Sequence, residues 1–431
     1  MSHHAPAFTA WAGLRYGALG LPLAFVALPL YVVLPSHYAE RHGMSLATLG
    51  AVLLATRALD AVLDPAIGRG VDTLFNRSTR AALKVATLAA AVVALGFTAL
   101  FHAPLEGAAL LGWLAVGLVV TYLAFSVLTI VHQAWGARLG GDANLRSRVV
   151  AWREGCGLVG VLAASVIALQ FGVSAASGVL AATLAVAMGL LAIAPASSPQ
   201  HLQASTPRAE RVPAAAAAAH WALPWRNAPF RALLAVFMLN GIASAVPATL
   251  VLFFVRDRLQ LPDAEALFLG AYFAGAALSV PLWLRVVRWA GLVPAWLGGM
   301  GLALLAFGGA IGLGAGDSAG FLAVCVASGV ALGADLTVPG ALLTGVIQRA
   351  GHADRAEGVY VGWWTCATKL NLGLAAGAAL PLLALAGYAP GLRDAEALRA
   401  LSLAYVAVPC GLKLIAAGLL YRTWTLKRMD E

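Results

Sequence analysis

Charge is scarce in this chain. Of its 431 residues, 11% are Asp, Glu, Lys or Arg and 61% are hydrophobic. A soluble domain averages about half apolar and about a quarter charged residues. The shortage of polar surface therefore excludes the soluble, disordered and fibrous classes together. Cysteine is scarce too. The 4 cysteines, Cys156, Cys325, Cys366 and Cys410, lie far apart in apolar runs with no CxxC among them, which excludes a disulfide framework and a metal site. HExxH, GxSxG and Cys/His clusters at metal spacing are also missing, so the chain does not read as an enzyme, and no cofactor is expected. The opening MSHHAPAFTAWAGLRYG lacks a basic n-region and a small-residue cleavage site. The first apolar run therefore reads as an uncleaved span.

What the chain does have is apolar runs of about 20 residues, each long enough to cross a bilayer. Twelve are expected, at roughly 14–36, 45–68, 81–103, 107–133, 149–172, 174–195, 230–255, 264–285, 289–313, 318–346, 358–387 and 398–421. The predicted fold class is an all-α polytopic membrane protein. Glycine (46) and proline (20) are frequent within the runs, as membrane helices tolerate. Small-residue stretches such as AAGAAL, Ala375 to Leu380 around Gly377, predict close helix approach.

The spans divide six and six: 1–195, a linker 196–229, and 230–431. The linker carries an Ala run, Ala214 to Ala219, then HWALPWRNAPFRALL with Trp221, Trp225, Arg226 and Arg231. That mixture reads either as a short interfacial segment or as a plain lead into the seventh span. With the N-terminus and linker set inside, 18 of the 28 Lys and Arg fall on the inner side and 5 on the outer. The bias predicts cytoplasmic termini and explains the net charge of +9 without nucleic acid. A faint repeat relates the first spans of the two halves. Each has a span, a short polar turn, then a span ending in Pro and a basic residue. Two similar six-span halves are a common transporter plan with the substrate between them.

Ionisable residues within spans are costly and are functional candidates by default. They are Arg57, Asp60, Asp64, Arg153, Glu154, Asp335, Lys369 and Lys413. Asp60 and Asp64, in RALDAVLDPAIGRGVD, are four apart and share a helix face. Desolvation and like charge both raise a carboxyl pKa, so the pair suits a proton or a small cation. The structural alternative is neutralisation by Arg57, Arg153 or Lys369. Lys369 reads as a counter-charge that a bound cation displaces, or as a fixed partner of the two acids. Arg153 and Glu154, being adjacent, are expected to point in different directions. Asp335, in GADLTVPG, reads as a lone acid, either in a broken helix lining a cavity or at a helix end. Lys413 is expected to snorkel. His132 is a proton-relay candidate, with an interfacial histidine the slightly preferred alternative. The pairs Trp135/Trp152 and Trp363/Trp364 are candidate aromatic walls for a ligand, or interface anchors.

After Asp64, the run GRGVDTLFNRSTR joins spans two and three. Gly68, Asp72 and Arg77 in it resemble the loop signature of the major facilitator superfamily. That resemblance implies a cytoplasmic gate latch, where the charge bias alone implies an ordinary basic loop. Within that superfamily the chain resembles the glycoside–pentoside–hexuronide:cation symporters, of which melibiose permease is the best known. The strongest motif is LDAVLDP, like that family's D-A-x-x-D-P on the second helix. Tyr16-Gly17, Trp135, Arg153, Arg355-Ala356-Glu357, Lys369, Gly387-Tyr388 and Pro390 extend the resemblance over most of the chain.

The resemblance implies a major facilitator fold of two six-helix halves, and a cation pair Asp60/Asp64 with Lys369 beside it. It also implies a sugar-side cavity lined by Arg153 and Trp135. Trp363, Trp364, Asp335 and His132 are further cavity candidates. Where the melibiose permease has acids on the first and fourth helices, this chain has Ala24 and Val131. Leu63 replaces a polar residue before Asp64. Hard cations need several oxygen ligands, so a proton is expected rather than sodium. The expectation is a monomer in the inner (plasma) membrane. It would take up a small organic solute, sugar-like or more amphipathic, with the proton. The alternative is a proton-driven exporter or a carrier of lysolipids and other amphiphiles.

Overall fold

The computed structural model describes residues 9–139, 143–194, 222–352 and 357–424. All regular structure among the described residues is helical. Twelve helices are long and apolar enough to cross a membrane: Ala10–His42, Leu46–Phe75, Thr79–Phe101, Ala109–Gly136, Arg148–Gln170, Gly172–Ala192, Ala228–Arg258, Pro262–Ala290, Leu292–Gly312, Ser318–Arg349, Val359–Leu385 and Ala395–Thr423. In chain order they are the first to twelfth spans, each overlapping its predicted run. In hydrocarbon each backbone N–H and C=O needs an internal partner, which helices provide. That requirement is why an apolar count alone located them.

Prolines sit inside six of these helices, at Pro65, Pro247, Pro281, Pro339, Pro381 and Pro409. None of the six helices breaks there. The tenth span in particular runs unbroken from Ser318 to Arg349, so Asp335 lies in neither a broken helix nor a helix end. Two π-helical turns interrupt the ladder instead, at Pro29–Val33 in the first span and Phe254–Arg258 in the seventh. Pro29 lacks the N–H that an α-turn needs, and the wider turn begins there.

The chain divides into two compact units, Met1–Leu30 with Val62–Glu210, and Tyr31–Ala61 with Arg211–Glu431. In the first unit, the first and fifth spans touch backbone to backbone. A Cβ on Gly20 would collide with the Arg153 carbonyl, and one on Gly160 with the Leu21 carbonyl. Lipid offers no hydrophobic drive between helices, so such contact is the source of association. In the second unit, Trp296, Phe230, Met300 and Tyr360 anchor a core that is shielded from solvent. Gly377 is the close-approach point that its small neighbours predicted, since a Cβ there would lie 2.7 Å from Leu54 Cβ.

Candidate functional site

Asp60 lies on the second span and Lys369 on the eleventh. The Gly377–Leu54 approach, and that of Gly373 to Arg57, draw these two helices together. Lys369 Nζ stands 3.1 Å from Asp60 Oδ2. Arg57 Nη1, one turn back on the second span, is 3.8 Å from the same oxygen. The Asp60 side chain is 1% exposed and that of Lys369 is 15% exposed. The acid is therefore the more deeply buried of the two. Asp64, half-buried, follows one helical turn later, immediately before Pro65. The structure thus brings together Asp60, Lys369 and Arg57.

A second ion pair was not foreseen. Lys413 does not snorkel. It is buried, with Nζ 2.7 Å from Asn240 Oδ1 and 3.3 Å from Asp335 Oδ2. Asp335 is not a lone acid either. Its Oδ1 accepts from Trp296 Nε1 at 2.8 Å and Asn240 Nδ2 at 2.9 Å, and its Oδ2 from Ser244 Oγ at 3.4 Å. Four donors on three neighbouring helices thus converge on one carboxylate.

In the first unit, Arg153 bends back onto its neighbour. Its Nη2 and Nε lie 2.7 and 3.0 Å from Glu154 Oε1. Adjacent helical positions diverge at the Cβ, but the long guanidinium arm closes the gap, so the expected divergence does not hold. His132 is not interfacial but 1% exposed. Its Nε2 donates to the Tyr16 carbonyl at 2.8 Å, and its ring lies 4.5 Å from that of Tyr16. Trp135 is buried against Phe75, whereas Trp152 lies over Gly13. The two rings meet different partners.

At the turn between the last two spans, Tyr388 donates its hydroxyl to Asp257 Oδ2, and the Gly391 N–H donates to the same oxygen at 3.0 Å. Burial first, and the Asp257 hydrogen bond second, push the Tyr388 phenol well above its usual value. Among the described residues, no group of three or more His, Cys, Asp or Glu could hold a metal ion.

A sequence profile of the family described as MFS/sugar transport protein matches residues 15–427. The chain belongs to that family. Solved transporters share its fold. The nucleoside transporter NupG superposes with a TM-score of 0.71 at 12% identity, over 96% of this chain and 99% of that one. A bacterial homologue of the human lysosomal transporter Spinster, inward-facing and unoccupied, superposes at 0.71 with 14% identity, over 97% of each chain. Tetrameric PepTSo2 superposes at 0.66 with 14% identity, over 97% of this chain and 99% of that one. Among curated proteins none matches the chain in sequence. The protein is thus a multi-pass membrane transporter of the secondary type, with a major facilitator fold, and not an enzyme.

Other predicted site residues of this transporter fall elsewhere. The gate segment is not a loop. The helix that carries Asp60 continues to Arg77 and stops only before Ser78, whose Oγ caps the next helix by accepting from Ala81 N at 3.0 Å. Gly68 and Arg77 therefore lie on a helix. So does Asp72, although its side chain lies outside the described residues. Trp364 stacks on Phe237 with centroids 3.9 Å apart, and Trp363 meets Trp225 edge-on at 5.0 Å. Trp225 belongs to a short helix, Leu223–Arg226. The preceding part of the predicted interfacial segment lies outside the described residues, as do Arg355 and Ala356 and the Glu357 side chain.

Sequence reasoning missed Asn240, Ser244 and Trp296. The signal that could have found them was charge balance. An acid and a lysine of opposite sign, both inside spans, call for one another in lipid.

Proposed function

We propose that this transporter is a proton-coupled symporter of a small organic solute, working by alternating access. The observation that carries the reading is the Asp60–Lys369 ion pair, with its buried carboxylate 3.1 Å from the ammonium. A proton arriving at the Asp60/Asp64 pair neutralises it. Lys369 then loses its counter-charge, turns away, and the cavity reorganises for solute. Titration belongs to the pair of acids rather than to either one.

The proton is favoured over sodium by two residues of the sequence. Val131 and Leu63 stand where the resembled family has an acid and a polar residue, and neither offers an oxygen to a hard cation. The protein is read as a monomer in the inner (plasma) membrane with both termini in the cytoplasm, on the inner bias of its basic residues. Solute uptake is measured in proteoliposomes under an imposed pH gradient. Asp60→Asn and Asp64→Asn are each expected to abolish accumulation against the gradient. Uphill accumulation surviving in both would overturn the assignment. Binding that tightens with sodium at constant pH would overturn the proton.

A second reading, proton-driven export of an amphiphile, is favoured by Ala24 and Val131, which remove polar groups that a sugar would use. Transport direction in inverted vesicles separates the two readings.

A further inference from the structure

The second unit encloses a cavity of about 50 Å³, walled by the seventh to tenth spans, by the twelfth, and by Val32 of the first. That volume holds a few waters or an organic group of similar bulk. Its wall is mostly apolar, with Phe268, Phe273 and Phe307 supplying ring surface. Four hydroxyls reach it, from Ser244, Tyr272, Ser328 and Tyr405. Ser328 Oγ donates to the Val324 carbonyl at 2.7 Å, and Ser244 Oγ to Asp335 Oδ2 at 3.4 Å. Both serines thus spend their proton elsewhere and present lone pairs to the cavity. Tyr272 and Tyr405 differ, because neither hydroxyl has a hydrogen-bond partner among the described residues. Tyr405 is nonetheless only 3% exposed. A hydroxyl that opens onto a cavity with no protein partner is free to donate to whatever enters.

Charge narrows the occupant. No charged side chain lines the cavity. The carboxylate behind Ser244 is already matched by Lys413 at 3.3 Å. An ammonium or a carboxylate entering would be desolvated without a counter-charge. A neutral group whose oxygen accepts from the two phenols satisfies them, and its carbon atoms meet the rings.

We propose that this cavity is a subsite for a neutral, mostly apolar part of the transported solute that carries an oxygen acceptor, held by Tyr272 and Tyr405. The proposal rests on solute transport and names the chemistry of one end of the solute. It is independent of which cation drives the cycle.

Cys325 also lines the cavity and serves as the reporter. In full-length protein with Cys156, Cys366 and Cys410 changed to Ser, the rate of Cys325 modification by methyl methanethiosulfonate is measured. The competitors are 1-propanol, propylammonium and propionate, which share a carbon skeleton and differ in charge. At about twice its dissociation constant, 1-propanol is expected to slow modification about threefold by occupancy, and the two ions are not. Tyr272→Phe/Tyr405→Phe is expected to remove the protection while leaving the unprotected rate essentially unchanged, which also reports that the fold is intact. If the double variant fails to fold, Tyr405→Phe alone is read, and weakened protection is expected. Protection is expected to persist in Asp60→Asn, so failure of the coupling reading stays distinguishable. No protection by 1-propanol, equal protection by all three, or protection that survives loss of both hydroxyls overturns the proposal.

Discussion

Two buried ion pairs lie in the same unit of this transporter, Asp60–Lys369 and Asp335–Lys413, and they are built differently. Asp335 is held by short, conformationally restricted donors from Trp296, Asn240 and Ser244 as well as by its lysine. The lysine is the sealed partner, 3% exposed against 13% for the acid. In the other pair two long, flexible cations, Lys369 and Arg57, approach the acid, and the acid is the more buried partner. The same two residue types therefore sit in different surroundings. Short neutral donors hold a charge where it is, whereas a long cation has the reach to swing away from its acid, as the proposed coupling requires.

The largest expected effect is on transport. Asp60→Asn or Lys369→Met should abolish proton-driven accumulation in proteoliposomes while leaving a folded protein, because Asp60 without Lys369 still has Arg57 at 3.8 Å. Loss of folding in Lys369→Met would erase the distinction between the pairs. Next, Lys413→Met leaves the Asp335 carboxylate without its counter-charge. It should cost about 3–5 kcal/mol of stability, read by denaturant unfolding in detergent. Adding Asp335→Asn should recover most of that loss. Equal destabilisation by Lys369→Met and Lys413→Met would show the two pairs to be alike.

A smaller effect tests what presses the first pair together. Gly377→Val places a methyl-bearing carbon against Leu54. It should cost about 1–3 kcal/mol by overpacking, and it should weaken uptake by spreading the second and eleventh spans. The smallest effect sharpens the rule that neutral donors fix a carboxylate. Tyr388→Phe leaves Asp257 with the Gly391 N–H and should cost about 1 kcal/mol. Since the folded phenol titrates well above the ordinary value of 10.0, its contribution is complete below pH 10. It declines as pH rises through the folded value. Tyr388→Phe should flatten that alkaline loss, followed by thermal unfolding against pH.

Much of this was legible beforehand, for a physical reason. Helix positions follow from a local count of apolar residues, and each predicted run met its span. The LDAVLDP segment placed Asp60 and Asp64 one turn apart because 3.6 residues per turn is a local constraint. Lys369 beside Asp60 was among the stated alternatives. What stayed hidden depended on helix rotation and neighbour choice. Lys413 and Asp335 are 78 residues apart, and nothing local in either span says which faces meet. His132 sat at the end of a predicted span, yet packing against Tyr16 buried it. The gate segment reads as a loop because it follows the apolar run of the second span and its Gly68, Asp72 and Arg77 resemble a loop signature. The helix continues to Arg77 all the same.

The amino-acid sequence by itself determined that this protein spans a membrane twelve times and that very few charges lie inside. Lipid leaves a backbone no partner but its own helix, and that rule needs no knowledge of the neighbours. Tertiary structure alone decided which of those charges meet. An ion pair across helices is set by crossing points, such as Leu54 over Gly377, and by the direction in which each side chain leaves its helix.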